Sequence, residues 1–174
     1  LTIPCSAEII IVDNDWPYDF NDIQAAIDYS SNGDFIFVFP GTYTGSGNRD
    51  IDFLGKAITV RSIAPTDPYI VAETIIDCNG TGRGFYFHSG EDANSVLSGF
   101  TITNGMNSLG GGIYCNDSDP KITNCVITGN SGSGICCNYS APIVADCATG
   151  EASVSPAPSE SDLGLEEVQP RRWP

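Results

Sequence analysis

The second half of this chain carries a pattern that returns after 22 residues. Gly-Ile-Tyr-Cys-Asn at residues 112–116 returns as Gly-Ile-Cys-Cys-Asn at 134–138, and Asn124-Cys125 returns as Asp146-Cys147. A unit this short cannot bury its own apolar side chains, so neighbouring units must stack in register and share one core. The repeat predicts a β-solenoid, in which each coil adds strands about 4.8 Å from those of the coil before.

Within the repeat, apolar residues and cysteines recur two positions apart, as expected of strands with one face turned to a packed interior. A buried free cysteine behaves as a small hydrophobe, and the repeat stacks one cysteine on another in two places. The sequence leaves two alternatives for each stack, a pair of free thiols or a disulfide. Neighbouring parallel strands rarely present the geometry that a disulfide needs. The predicted interior columns contain Phe85, Ile113, Ile135, Cys115, Cys137, Cys125 and Cys147.

Earlier segments match the same pattern with longer connections. Residues 85–88 match the first strand of the repeat and residues 98–105 match the second, while residues 57–61 and 74–78 indicate a still earlier coil. Phe85 in the first strand lies 28 residues before Ile113, and Phe100 in the second strand lies 25 residues before Cys125, whereas the repeat itself is 22 residues long. These spacings predict three extra residues in the turn at 89–94 and a second insertion near 106–111. The sequence thus predicts about four coils, the last of them incomplete.

The N-terminal third has a different pattern. Residues 23–29 predict a short amphipathic helix preceded by Asp19 and Asp22, with acidic residues in its first turn. Residues 9–12 and 35–39 predict apolar strands. A helix laid across the open end of a stack would cover its unpaired strand edges, which repeat arrays require of their terminal units.

The charge of the chain restricts its partners. The formal net charge is −15, and only seven Lys and Arg residues are present. This balance argues against binding to nucleic acid or to anionic membrane surfaces. No run of 18 or more apolar residues occurs, so the sequence predicts no membrane span.

Several segments in order resemble a known family. Residues 22–28, 32–34, 38–43 and 55–62, followed by the Gly-Ile and Asn-Cys units, resemble the right-handed parallel β-helix proteins of the pectate-lyase-like superfamily, of the secreted bacterial type. The resemblance covers about residues 9–147 and implies an all-β fold: a right-handed parallel β-helix of about four coils with a short N-terminal capping helix. It implies little about chemistry, because that superfamily includes lyases, hydrolases, epimerases, adhesins and a metal-maturation protein.

The sequence predicts four parts of the chain. Residues 1–8 are expected to be the remnant of a secretory signal, which predicts an extracellular or periplasmic protein. Residues 9–56 form the cap and first coil, and residues 57–147 form the β-helix coils. Residues 148–174 are a tail rich in Ser, Pro and Glu that we expect to be disordered. The open end of the last coil is covered by this tail, covered by another subunit, or continued in a longer array.

The sequence gives no clear active site. The segments by which the family's polysaccharide hydrolases resemble one another do not occur here. A lyase would need a base and a way to neutralise a uronate, and calcium is the possible cofactor for that role. The available groups are Arg61, Arg83, Lys121, Asp77, Glu91, Asp92, Asp117 and Asp119, and the acidic ones fall mostly in predicted turns. No zinc site is predicted, because C-x-x-C spacing is absent. We therefore expect no catalytic residues and leave the question of an enzyme open.

Outward aromatic residues give the best functional signal. Tyr86 and Tyr114 occupy equivalent outward positions on adjacent coils, and His88, the only histidine, follows at a strand end. These residues predict a lateral surface that binds a polysaccharide or surface glycan; the simpler reading is that tyrosine suits strands. The alternatives are a fragment of a polysaccharide lyase or related enzyme, and a structural unit that associates end to end with itself.

Overall fold

The computed structural model describes residues 6–15 and 18–150, together with the backbone of residues 155–156. Two short helices, α1 (Ile23–Tyr29) and α2 (Pro68–Glu73), and a 3-10 turn (Ser46–Asn48) accompany the strands in these residues. The strands are β1 (Ile9–Val12), β2 (Phe35–Val38), β3 (Gly41–Tyr43), β4 (Thr59–Ser62), β5 (Thr74–Asp77), β6 (Phe85–Phe87), β7 (Val96–Ser98), β8 (Thr101–Thr103), β9 (Ile113–Asn116), β10 (Lys121–Thr123), β11 (Val126–Ile127), β12 (Ile135–Asn138), β13 (Ile143–Ala145), β14 (Ala148–Thr149) and β15 (Ser155–Pro156).

The strands form three parallel sheets. Sheet A has the order β1-β2-β4-β7-β10-β13, sheet B the order β3-β5-β8-β11-β14, and sheet C the order β6-β9-β12-β15. From β4 onward, successive strands fall in sheets A, B and C in that same order. The protein is therefore an all-β structure of parallel sheets with few helices. The all-β class predicted from the sequence is confirmed.

Strand register confirms the repeat and its insertions. Ile113 lies opposite Ile135, and Lys121 lies opposite Ile143, each pair 22 residues apart. Phe85 pairs with Ile113 at a separation of 28, whereas Val96 pairs with Lys121 at 25. The three extra residues consequently lie between β6 and β7, and a second three lie between β8 and β9, as predicted.

One hydrophobic cluster joins the three sheets. It includes Val60 and Leu97 from sheet A, Ile102 from sheet B and Phe85 from sheet C, each completely buried. In sheet A the inward row runs through Ile10, Ile36, Val60, Leu97, Ile122 and Val144. The first five are at most 1% exposed, whereas Val144 on the edge strand β13 is 36% exposed.

Helix α1 packs beside the first strands. It buries Ile23, Ala26 and Ile27, and it contacts β1 and β2. Asp22 is the N-cap, whose Oδ1 accepts a hydrogen bond from the Ala25 N–H at 2.7 Å. The prediction of acidic residues within the first turn was wrong, because Asp22 lies one position earlier and the turn itself contains none. A cap needs the carboxylate just outside the helix, where it can accept from the free N–H groups.

The side chain of Lys56 holds the other end of α1. Its Nζ donates to the carbonyl oxygens of Ile27, Asp28 and Ser30 at 2.5, 3.0 and 2.8 Å. These carbonyls belong to the last turn of α1 and its C-cap, where a cation is electrostatically favoured. The helix is thus fixed at both ends by charged side chains.

Two kinds of element were not predicted. The predicted strands do not include the sheet-A strand of the later units, for example β10, which is three residues long. Helix α2 begins after Asp67, whose side chain accepts from the Tyr69 N–H, with Pro68 at the first helical position. The Thr101 hydroxyl donates to the Val71 carbonyl at 2.9 Å, which ties α2 to sheet B.

The predicted tail is only partly described. Its first residues form β14, which pairs with β11, and residues 155–156 pair with Cys136 and Cys137 of β12. Residues 1–5, 151–154 and 157–174 lie outside the described residues, and with them most of the predicted signal remnant and most of the predicted disorder.

Candidate functional site

The outer face of sheet C carries the predicted tyrosine row. Tyr86 pairs with Tyr114 and Tyr114 with Cys136, so the three lie side by side on adjacent strands. The two phenol rings are stacked, with centroids 5.3 Å apart and planes 12° from parallel. Each ring therefore turns one face to the other. Tyr114 is only 9% exposed, and Tyr86 is half-buried, so Tyr86 is the more accessible ring.

Arg83 completes this cluster. Its guanidinium carbon lies 4.6 Å from the Tyr86 ring centroid and 5.0 Å from that of Tyr114, within range of cation–π attraction. The buried Arg83 Nε has no hydrogen-bond partner among the described residues. Burial raises the pKa of the Tyr114 hydroxyl, so this group stays a hydrogen-bond donor at neutral pH. The Arg83 guanidinium thus lies against two aromatic rings, and the Tyr114 hydroxyl beside it is protonated.

His88 lies at the edge of the same cluster. Its ring centroid is 3.9 Å from that of Tyr86, in an edge-on arrangement of 76°. The His88 Nε2 is 3.6 Å from Asp52 Oδ2, and its Nδ1 is 3.2 Å from the Ser89 hydroxyl. The structure therefore brings the three predicted ligand-binding residues together. We name the cluster of Arg83, Tyr86, Tyr114 and His88 the sheet C cluster.

Sequence reasoning did not find the role of Arg83. It considered Arg83 only as a candidate base, with Arg61 and Lys121, but those two lie on β4 and β10 of sheet A. The Arg61 guanidinium stacks on Phe37 at 5.0 Å and bonds to nearby carbonyls. The signal that could have found Arg83 is its position three residues before the first tyrosine, just ahead of the strand β6 that carries it.

Glu91 also has a role that the sequence did not indicate. Its carboxylate is 2% exposed and accepts from the Gly55 N–H at 2.8 Å and from the Ser89 N–H and the Ser118 hydroxyl at 2.9 Å. These donors come from three successive parts of the chain. The carboxylate thus connects neighbouring loops through hydrogen bonds. Both of its oxygens accept hydrogen bonds from within the protein.

The cysteine stacks take the predicted places. Cys115 lies opposite Cys137, and the six described cysteines are all free thiols. Cys115 and Cys125 are at most 1% exposed, whereas Cys137 and Cys147 are half-buried and pack against the core. A hydrogen bond from the Cys125 thiol lowers the pKa of Cys147 to about 7. The Cys125 N–H also points to the Cys147 Sγ, at 3.5 Å.

A separate groove of about 390 Å³ lies where the chain leaves sheet B for sheet C. Gly80, Gly105 and Gly129 form much of its wall, together with Asn79 and Asn104. Its lining has no ionisable side chain. The groove could therefore contact a ligand but has no charged side chain to bind it. The sheet C cluster has a guanidinium and an imidazole, so we consider that cluster the better candidate site.

The side chains of the sheet C cluster could bind a polar ligand. Over residues 6–15 and 18–150, no three His, Cys, Asp or Glu side chains converge as a metal site would require. Within the same residues no helix is long and apolar enough to cross a membrane. The cluster offers a guanidinium, two phenol hydroxyls, an imidazole and the edges of two rings. Such groups form hydrogen bonds and ring contacts with a polar ligand.

Comparison with known proteins adds no relative. The chain matches no protein-family model, no curated protein and no solved structure.

Proposed function

We propose that the three sheets wind into a right-handed parallel β-helix of the pectate-lyase-like type. The support is the repeated order of strands through sheets A, B and C, together with the 22-residue register between the last units. Connections between parallel strands of one sheet are right-handed in the great majority of cases, which favours that hand. Helix α1 would then be the cap of the first coil.

On this scaffold, we infer that the protein is a secreted module that binds carbohydrate through the sheet C cluster, without chemistry of its own. The single observation that carries this is Arg83, whose half-buried guanidinium lies 4.6 and 5.0 Å from the centroids of two tyrosine rings. A guanidinium next to an apolar ring edge matches a sugar, which presents hydroxyl acceptors beside C–H groups. The thiols of Cys115 and Cys125 are buried in the core and so are unreactive, and these two do not oppose an extracellular location.

The stacking geometry defines how a glycan would bind. Because the rings face each other, a sugar would contact the edge and hydroxyl of Tyr86 and accept hydrogen bonds from Arg83 and His88. Tyr114 would act mainly by fixing the positions of Tyr86 and Arg83, since its ring stacks on the first and contacts the guanidinium of the second. Most of the affinity should then depend on the two accessible groups, Arg83 and Tyr86.

A glycan array with the purified full chain, with and without calcium, tests this function. We expect selective binding, weakened at least tenfold by Arg83→Met and by Tyr86→Ala. Tyr69→Ala is the matched control, because Tyr69 is 80% exposed on α2 and should leave binding unchanged. Binding that survives both cluster variants would place the glycan elsewhere. A blank array would reject the carbohydrate proposal.

The alternative of a polysaccharide lyase or related enzyme rests on the pair formed by His88 and Asp52 beside Arg83. A carboxylate next to an imidazole could assist proton removal from a bound sugar. Any glycan found on the array should therefore be incubated with the protein, with calcium as the possible cofactor. Shortened or unsaturated products that disappear in His88→Gln would favour the enzyme over the binding module.

A further inference from the structure

We propose that Asn79 is a site of N-linked glycosylation, and that the first sugar of the attached glycan lies over the neighbouring groove and covers Met106. This rests on the secreted location proposed above, but it concerns residues outside the sheet C cluster.

The chain contains three segments with the acceptor pattern of N-linked glycosylation, Asn-x-Ser/Thr with x other than proline. They begin at Asn79, Asn116 and Asn138. The structure gives these three asparagines different surroundings, and that difference selects one of them.

The two asparagines of the repeat make contacts within the protein. The Asn138 Nδ2 donates to the Asn116 Oδ1 at 2.6 Å, so the two amides stack from one strand to the next. The Asn116 Nδ2 in turn donates to Asp117 Oδ2 at 3.1 Å. Ser118, the hydroxyl residue of the same segment, is 3% exposed and donates to the Glu91 carboxylate. A glycan on either amide nitrogen would crowd this stack, so we assign both asparagines to the fold.

Asn79 has the opposite surroundings. Its side chain is exposed and makes no hydrogen bond with the described residues. Asn79 and Gly80 have φ angles of 52° and 70°, and the Thr81 N–H donates to the Cys78 carbonyl at 3.1 Å. These residues form a tight turn with two left-handed central positions, and Thr81 is exposed as well. Both side chains of the acceptor pattern are therefore accessible.

The groove beside Asn79 suits an uncharged sugar. Its volume is about 390 Å³, and its lining includes Asn79, Gly80, Gly105 and Met106 but no ionisable side chain. Met106 is 63% exposed, and its N–H donates to the Gly82 carbonyl at 2.8 Å, which holds it next to the turn. A sugar joined to Asn79 would bring hydroxyl groups to the backbone of the glycines and a C–H face to the Met106 side chain.

The sugar would be transferred in the secretory pathway from a lipid-linked oligosaccharide diphosphate. A bond forms between Asn79 Nδ2 and the anomeric carbon of the first sugar, and the anomeric C–O bond to the diphosphate breaks. The lipid diphosphate leaves with that electron pair, and the amide nitrogen releases one proton to the solvent.

Production of the full chain behind a cleavable signal sequence in a eukaryotic cell tests the site. Treatment with a peptide N-glycosidase in heavy-oxygen water converts each glycosylated asparagine to a labelled aspartate, which peptide mass spectrometry locates. We expect the label at residue 79 to be at least tenfold above that at Asn116 and Asn138. Thr81→Ala should abolish it, whereas Thr81→Ser, the matched control, keeps the acceptor pattern and should retain it.

Oxidation of Met106, the only methionine of the chain, tests the contact with the groove. In dilute hydrogen peroxide, its sulfoxide should form at least threefold more slowly in the glycosylated protein than in Asn79→Gln. Equal oxidation rates would overturn the placement of the sugar over the groove.

An unlabelled residue 79 in the exported protein would overturn the site itself. Equal labelling of the three asparagines would show that their surroundings do not select among them, and would overturn the assignment too. If secretion fails, the label is read from chain imported into microsomes during cell-free translation, with the same two outcomes. Because the signal sequence is supplied, a missing glycan would reject this inference alone, and the glycan array would still decide whether the sheet C cluster binds carbohydrate.

Discussion

The two outer strands of sheet A differ in what contacts their outer edge among the described residues. At the first strand, the Ile11 N–H donates to Asp19 Oδ2 at 2.9 Å and its carbonyl accepts from the Phe20 N–H at 3.2 Å, so local side-chain and backbone groups occupy the edge. At the last strand, Val144 has the sheet geometry of its row but no further strand among the described residues. The first strand is thus bordered by irregular sequence that contacts it closely, whereas the last strand belongs to the repeat and its apolar side chains are partly exposed.

This difference teaches where sequence-specific stabilisation is concentrated. The N-terminal end requires particular polar residues, such as Asp22 and Lys56, each of which meets backbone groups of α1. The later units depend on a periodic apolar row, supported by polar contacts between their connections such as that of Ser118 with Glu91. We therefore expect substitutions to be costly at different kinds of position in the two regions.

The largest expected effect compares two members of the same inward row. Ile36→Ala, completely buried in β2, should lower the free energy of unfolding by about 3 kcal/mol, because it leaves a cavity that its neighbours cannot fill. Val144→Ala should cost about 1 kcal/mol, since its side chain is smaller and partly exposed. Urea unfolding of both variants provides the measurement. Equal losses would contradict the view that the two ends differ in packing.

A smaller effect concerns the lysines. Lys56→Met should cost about 2 kcal/mol, because three carbonyl oxygens at the end of α1 lose a charged donor. Lys121→Met, on the exposed face of β10, should change stability by about 0.5 kcal/mol or less. Thermal unfolding should then show a midpoint lower by about 4–8 °C for the first variant alone. Similar midpoints would mean that Lys56 contributes no more than an exposed lysine.

The third comparison affects reactivity rather than stability. Cys147 has a pKa of about 7, because the Cys125 thiol donates to it, and it is half-buried, whereas Cys125 has a raised pKa and is 1% exposed. The thiolate fraction of Cys147 should rise as pH increases through about 7 and level off near pH 8. Brief iodoacetamide labelling followed by peptide mass spectrometry should find Cys147 modified well before Cys125.

Cys125→Ala is the control for that cause. It removes the thiol donor and should move the labelling midpoint of Cys147 upward, toward the ordinary cysteine pKa of about 8.5. An unchanged midpoint would mean that the backbone N–H of residue 125, and not the thiol, stabilises the thiolate.

The sequence predicted the parts of the structure that repetition determines. The spacing of Ile113 and Ile135 gave the register of β9 and β12, and unequal spacings located both three-residue insertions. Helix α1 was predicted because Ile23, Ala26 and Ile27 fall on one face of the segment, and all three are buried. In each case a local pattern was long enough to outweigh competing readings.

The remaining features depend on contacts between distant residues. Strand β10 was missed because three residues cannot show a period, and only its pairing with β7 and β13 defines it. Glu91 resembles any acidic loop residue until Gly55 and Ser118 are seen to bond with it. At the sheet C cluster, the two tyrosines were predicted as neighbours, but the stacking of their faces and the placement of Arg83 follow from side-chain packing.

The two insertions between strands carry a consequence for how such a chain can evolve. Three residues were accommodated between β6 and β7, and three more between β8 and β9, yet Phe85 still pairs with Ile113 and Thr101 with Val126. Length variation is therefore confined to the corners, the connections between strands of different sheets. The register of the interior side chains is unchanged by it. A descendant of this protein could acquire a long loop at a corner, and with it a new recognition specificity, without any compensating mutation in its core.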